Sequence, residues 1–241
     1  MNQPLNFKLN HTDNLDHASY GSQENCIHFA RMNTNSPVLL ILHEGFDPQD
    51  FQNIECSILK LNAEFEWFHL LGWKEVNTYT FQESIQWLTQ WIYTNNFKKV
   101  IHVGFCRGFY NAFHIGLQTP HTMIIGLAPI SSLERDDAFP QGFFGGLTSG
   151  FSDDMRTVAF SRNPELIGKT ALKTIAVKNE EAHYKIIYSS QNPLHTHYLR
   201  QLPVELLAKT EQIVHNSRFH AELVEIYREY VKQVVQEHIT N

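Results

Sequence analysis

The stretch Val100-Ile101-His102-Val103-Gly104-Phe105-Cys106-Arg107-Gly108-Phe109 decides how the rest of the chain is read. An apolar run ends in a glycine, a cysteine follows two residues later, and a second glycine comes two residues after that. Lys99–Val103 has the continuous apolar character of a strand buried on both faces. Phe109–Gln118 is read as a helix that stops before Pro120. Gly104-x-Cys106-x-Gly108 therefore falls where a strand gives way to a helix. So tight a turn strains its central residue and leaves no room for side chains two positions to either side, hence the glycines. It would lift the Cys106 sulfur to a helix N-terminus, where partial positive charge favours the thiolate. The backbone N–H of Arg107 would face a developing oxyanion. The plain alternative is a buried structural cysteine in a glycine-lined turn.

Working outward, strand and helix patterns alternate. Val38–Leu42 (VLLIL) and Thr122–Leu127 (TMIIGL) are apolar runs of the kind parallel sheets bury. Cys26–Met32, Glu64–Leu70, Tyr184–Tyr188 and Glu211–His215 are further strand candidates. Gln49–Asn62, Phe81–Thr94 and Ala221–Glu237 have helical character, and Leu194–Leu207 is a broken helix. In Phe81–Thr94, Ile85, Leu88, Trp91 and Ile92 share one face. Residues 1–25, rich in Asn, Asp and His, show no period and are expected to form an irregular arm or frayed edge strand. The alternation predicts an α/β fold, a mostly parallel central sheet with helices on both faces, in a single domain over 1–241. Residues 130–182 break the pattern with mixed Gly, Phe, Asp and Ser, which predicts an inserted cap or lid. Phe139, Phe143, Phe144 and Phe151, with glycines among them, suit either a mobile lid over an apolar pocket or a plain packed cap.

Composition narrows the function classes. The chain has 241 residues, 42% hydrophobic and 18% charged, with a formal net charge of −6. That balance, with no long basic run, argues against nucleic acid as a partner. No apolar segment approaches the roughly 18 residues of a membrane span, and the polar first 16 residues lack the order of a signal peptide. Three cysteines, Cys26, Cys56 and Cys106, make neither a disulfide framework nor a zinc knuckle. A cytoplasmic setting and a free Cys106 thiol are expected. The fourteen histidines are dispersed. His195 with His197 and His215 with His220 are the tightest pairs, too thin for a metal site, and no metal or cofactor is expected.

The elbow, the Val38–Leu42 strand followed by His43-Glu44-Gly45-Phe46, and a late histidine together resemble the α/β-hydrolase superfamily. Within it, the chain resembles cysteine-nucleophile members such as dienelactone hydrolase. The likeness spans about residues 27–238 in element order, and Phe109 departs from it where a second consecutive glycine would follow Gly108. It implies hydrolysis of a small-molecule ester, lactone or thioester through an acyl-cysteine at Cys106. It places the catalytic histidine in the loop after the last strand, at His220, with His215 as competitor. Where it predicts an aspartate after the preceding strand, Asn192 stands. A cysteine that rests as a thiolate–imidazolium pair needs its third group mainly to orient the ring, and an asparagine oxygen can do that. An acid among Glu134, Asp136 and Asp137 is the other candidate. The second oxyanion donor falls at Glu44 or Gly45, after Val38–Leu42. An acyltransferase would use the same residues. Two rivals stand beside these: a catalytically silent hydrolase-fold protein binding a ligand or partner, and a metal-binding protein using His195 and His197.

Overall fold

The computed structural model describes residues 8–12, 15–22, 25–31, 37–43, 66–71, 86, 88–105, 107–120, 122–131, 172, 182–216, 230, 233 and 237. Nine strands form one sheet: β1 (Lys8–Thr12), β2 (Leu15–Ser22), β3 (Asn25–Arg31), β4 (Val38–His43), β5 (Glu66–Leu71), β6 (Lys99–Phe105), β7 (Thr122–Leu127), β8 (His183–Ser189) and β9 (Thr210–His215). Their order across the sheet is β1-β2-β3-β5-β4-β6-β7-β8-β9. From β5 to β9 every neighbouring pair is parallel, and β1, β2 and β3 continue the sheet antiparallel. Within residues 1–25, expected as an irregular arm or a frayed edge strand, β1 and β2 pair at the sheet edge, with Lys8 opposite Ser19 and Thr12 opposite Leu15. Their pairing is non-local to any apolar period, and an edge hairpin needs none.

Helical residues 88–94 (α1) precede β6. Then come α2 (Arg107–Gly116), α3 (Pro193–Leu199) and α4 (Val204–Ala208), the last two separated at Pro203 as the broken-helix pattern predicted. Side chains of all four helices meet in one apolar cluster: Leu88, Ile92, Phe109, Phe113, Leu199 and Leu206 are among its members. They therefore cover the same face of the sheet. Right-handed connections that step from β6 towards β9 place helices on one face, as observed. The step from β4 to β5 goes the opposite way in the strand order. The carboxyl ends of β4 and β6 are consequently the point where the winding reverses, and open α/β sheets bind ligands there. The expected helices at 49–62 and 221–237 lie largely outside the described residues, though residues 230, 233 and 237 are helical. Nearly all of residues 130–182, expected to form a cap or lid, lies outside them too. Among the described residues, no helix is long and apolar enough to cross a membrane.

The register explains how α2 sits so close. Counting towards the carboxyl ends on the helix-covered face, one row across the sheet reads Ile41, His102, Ile124, Tyr184 and the next reads His43, Gly104, Gly126, Ile186. Two adjacent glycines thus lie where α2 begins. A Cβ on Gly126 would run into the Phe109 ring and come within 2.6 Å of Phe113 Cε2. Phe109 is fully buried and stacks on Phe113 with ring centroids 4.4 Å apart. The second elbow glycine missing at position 109 is therefore compensated by a glycine on the neighbouring strand. Phe109 adds buried aromatic area to the core, an effect of order 1.5–3 kcal/mol for a side chain of its size.

Candidate active site

The turn at the carboxyl end of β6 is shorter than the 104–108 interval that the sequence left between strand and helix. β6 ends at Phe105 and α2 begins at Arg107, so one residue, Cys106, lies between strand and helix. A Cβ on Gly104 would run into the carbonyl of Gly108 and lie 2.8 Å from the Ala112 Cβ. Gly104 is needed for space and not for a left-handed backbone. Arg107 opens α2, so its N–H is among those at the helix start that have no partner within the helix. Gly104 pairs with His43, the last residue of β4. Cys106, His220, Glu44 and Gly45 themselves lie outside the described residues, as do Glu134, Asp136 and Asp137.

Asn192 is described, and its local role is definite. β8 ends at Ser189, and Asn192 caps α3 with φ −95° and ψ 109° while Pro193 occupies the first turn. Its Oδ1 accepts from the backbone N–H of Leu194 at 3.0 Å and of His195 at 3.4 Å. The residue is buried. The Asn-Pro pair carries that signal in the sequence, a cap residue followed by a proline preset for the first helical position. Any orienting role toward a histidine has to share the capping oxygen, because the other amide atom, Nδ2, is a donor. Asn192→Ala is expected to lower unfolding free energy by about 1 to 2 kcal/mol through loss of the cap. Asn192→Asp keeps a capping oxygen and adds a second acceptor, so it should retain the fold and change activity modestly. Denaturant unfolding checks the first point; an Asn192→Ala midpoint equal to that of the parent chain would remove the cap assignment.

The neighbouring histidines are engaged. His195, buried on α3, accepts the Ser189 backbone N–H on Nδ1 at 3.2 Å, which leaves its proton on Nε2. His197 Nε2 lies 3.0 Å from the Gln201 amide nitrogen. His215 ends β9 opposite Ser189, its carbonyl accepting the Ser190 N–H at 3.0 Å. Among the described residues no three His, Cys, Asp or Glu side chains are grouped to hold a metal ion.

The sequence reading passed over one further arrangement. His43 Nε2 lies 2.9 Å from His102 Nδ1, and His102 Nε2 lies 3.0 Å from Thr119 Oγ1, all three residues buried. The two rings stack with centroids 5.1 Å apart. Burial holds the His102 pKa down to about 3, so the ring is neutral. Fifty-nine residues separate the two histidines, and only the β4–β6 register brings them together.

No family model and no curated protein matches the sequence. Among solved structures the chain is similar to carboxyl esterase 2 (TmelEST2) from the mycorrhizal fungus Tuber melanosporum. That likeness is at 14% identity and a TM-score of 0.61, over 97% of this chain and 88% of that one. It is similar to the Francisella virulence factor BioJ at 11% identity and a TM-score of 0.65, over 95% and 85%. It is also similar to an esterase/lipase from an uncultured bacterium, at 12% identity and a TM-score of 0.63, over 96% and 87%. At these identities the likeness concerns the fold, and with the strand order above it makes this an α/β-hydrolase fold.

Proposed function

We propose that the chain is an ester or thioester hydrolase acting on a small-molecule acyl substrate through Cys106. The observation that carries this is the one-residue turn between β6 and α2, closed by the Gly104–Gly108 contact. That geometry costs close packing and is what a nucleophile elbow requires. Esterases among the structural neighbours make the chemistry congruent with the fold.

In this reading the Cys106 thiolate attacks the acyl carbon, and the Arg107 N–H with that of Glu44 or Gly45 holds the resulting oxyanion. Collapse breaks the bond to the leaving alcohol or thiol, which takes a proton from the His220 imidazolium. Water then attacks the thioester while His220 takes its proton, and the C–S bond breaks to release acid and thiolate. An alcohol or amine in place of water gives transfer instead of hydrolysis. Asn192 orients His220 by sharing Oδ1, and the long 3.4 Å cap bond to His195 is the one such sharing replaces. The acyl group lies beneath residues 130–182 as a cap. In support, Leu172, within that segment, donates its N–H to Ser131 O at 2.8 Å, and Ser131 Oγ donates to Tyr198 O on α3 at 2.6 Å.

The commitment of Asn192 Oδ1 to the cap favours a second reading, a silent hydrolase-fold protein that binds a ligand. Timed iodoacetamide labelling read by mass spectrometry separates the two. A thiol at a helix N-terminus beside an imidazole has a lowered pKa. Cys106 should therefore be alkylated far faster than Cys26 or Cys56. Equal or slower labelling of Cys106 makes it a structural thiol and removes the hydrolase.

A further inference from the structure

We infer that β9 is an interface strand. Two copies of the chain join β9 to β9 antiparallel about a two-fold axis at Ile213, continuing one sheet through both. The inference rests on the fold alone and is independent of the acyl-cysteine reading. β9 ends the strand order, and among the described residues no strand lies beyond it. Glu211, Gln212, Val214 and Asn216 are exposed, Val214 at 50%. A free sheet edge is ordinarily blunted by lysine, proline, a bulge or very short length. Thr210-Glu211-Gln212-Ile213-Val214-His215 carries neither lysine nor proline and pairs with β8 in unbroken register along its whole length.

The hydrogen bonds to β8 fix which residues face outward. His215 O accepts the Ser190 N–H at 3.0 Å, so the peptide groups of His215 point to β8. Along a strand the N–H and C=O of one residue share a side, and those of the next residue point the other way. Glu211, Ile213 and His215 are therefore turned to β8, and Thr210, Gln212 and Val214 hold their N–H and C=O outward. A two-fold partner runs antiparallel and must set outward residues opposite outward residues. Only an axis at a residue, and not between two, meets that condition.

Side-chain chemistry then selects the residue. An axis at Glu211 sets two carboxylates face to face, which is destabilising. An axis at Gln212 sets the Glu211 carboxylate against the partner's Ile213. An axis at Val214 shortens the overlap and sets Ile213 against the partner's His215. An axis at Ile213 puts Glu211 opposite the partner's His215 at both ends, Gln212 opposite its Val214, and the two Ile213 side chains together at the centre. Each carboxylate then meets an imidazole, and apolar meets apolar. The central pair is of the non-hydrogen-bonded kind, with Cα atoms about 4.5 Å apart and side chains at their closest. Lys185 Nζ holds Glu211 Oε2 at 3.0 Å from β8, and the other carboxylate oxygen can take the imidazole N–H. On the opposite face Val214, beside Tyr188, gains cover from the partner's Gln212.

One strand from each copy makes a small interface, so the dissociation constant is expected in the micromolar range. Sedimentation equilibrium of the full chain from about 1 to 300 μM should show a reversible dimer. Val214→Pro removes an outward N–H and leaves the β8–β9 bonds in place, which an edge strand tolerates. It should weaken dimerisation about tenfold or more, and Val214→Ala, which keeps that N–H, by much less. Cysteine crosslinking reads the axis and serves if the proline variant does not fold. Ile213→Cys lies opposite its own copy within disulfide reach and should give a covalent dimer on oxidation, above the level of the parent chain with its own cysteines. Glu211→Cys, on the same face but off the axis, should stay at the parent level. A parent chain that is monomeric throughout overturns the interface, whether its edge is bare or takes a strand of another protein. Dimerisation unaffected by Val214→Pro overturns it too, since the contact then lies elsewhere. Crosslinking through Gln212→Cys or Glu211→Cys in preference to Ile213→Cys overturns the axis.

Discussion

Gly104→Ala is expected to yield little or no folded protein. The added Cβ would run into the carbonyl of Gly108, which belongs to the first turn of α2, and would press within 2.8 Å of the Ala112 Cβ one turn on. Both obstacles sit on the same helix, and one of them is backbone. No rotamer change relieves the collision, so α2 has to lift from the sheet as a body. That would pull Phe109 and Phe113, stacked on each other, off Gly126 together. Overpacking a core with room to adjust costs about 1–3 kcal/mol. A backbone collision under a central helix should exceed that and reach 4 kcal/mol or more, a large share of a domain's stability. Soluble yield and the denaturant midpoint measure it. A Gly104→Ala variant unfolding at the parent midpoint would mean that the elbow is looser than the packing implies. Gly126→Ala is the milder comparison, because it meets the edge of a side chain and not a carbonyl.

The core strands could be read from the sequence because burial on both faces erases the need for alternation. Val38–Leu42, Lys99–Val103 and Thr122–Leu127 each declare themselves as apolar runs, and the structure places all three side by side at the sheet centre. β6 runs two residues further than its apolar run, to Phe105, because Gly104 is a paired strand residue opposite His43 and Gly126 rather than the start of the turn. For the same reason α2 begins at Arg107 and not at Phe109. The compensating Gly126 carries no local signal, since its meaning depends on standing beside Gly104. The His43–His102–Thr119 chain is hidden likewise among fourteen scattered histidines until register joins β4 to β6. At the candidate site, strand-turn-helix context pointed to the junction between β6 and α2, which the structure confines to position 106. Asn192 was located from the loop after β8, but its cap bonds follow from Pro193 and the start of α3, which a reading aimed at catalysis passed over.

Cys106→Ala is expected to reduce turnover of a p-nitrophenyl ester or thioester probe on the order of a thousandfold or more, while the denaturant midpoint stays near that of the parent chain. The substitution removes the sulfur and leaves Gly104, Gly108 and the start of α2 untouched, so the loss should lie in chemistry and not in folding. Cys106→Ser is the sharper probe. A serine hydroxyl does not rest ionised, so its attack creates an imidazolium that a carboxylate must stabilise. Asn192 supplies none, and its amide oxygen is already engaged by Leu194 and His195. Cys106→Ser alone should therefore be nearly as inactive as the alanine variant. Cys106→Ser with Asn192→Asp should recover part of the rate, because the second carboxylate oxygen is available to the imidazolium while the first keeps the cap. His220→Ala should abolish turnover in either background. Full activity in His220→Ala would make His215, at the end of β9, the next base to test. Full activity in Cys106→Ala would leave the elbow as a packing device, and the hydrolase reading would fall with it.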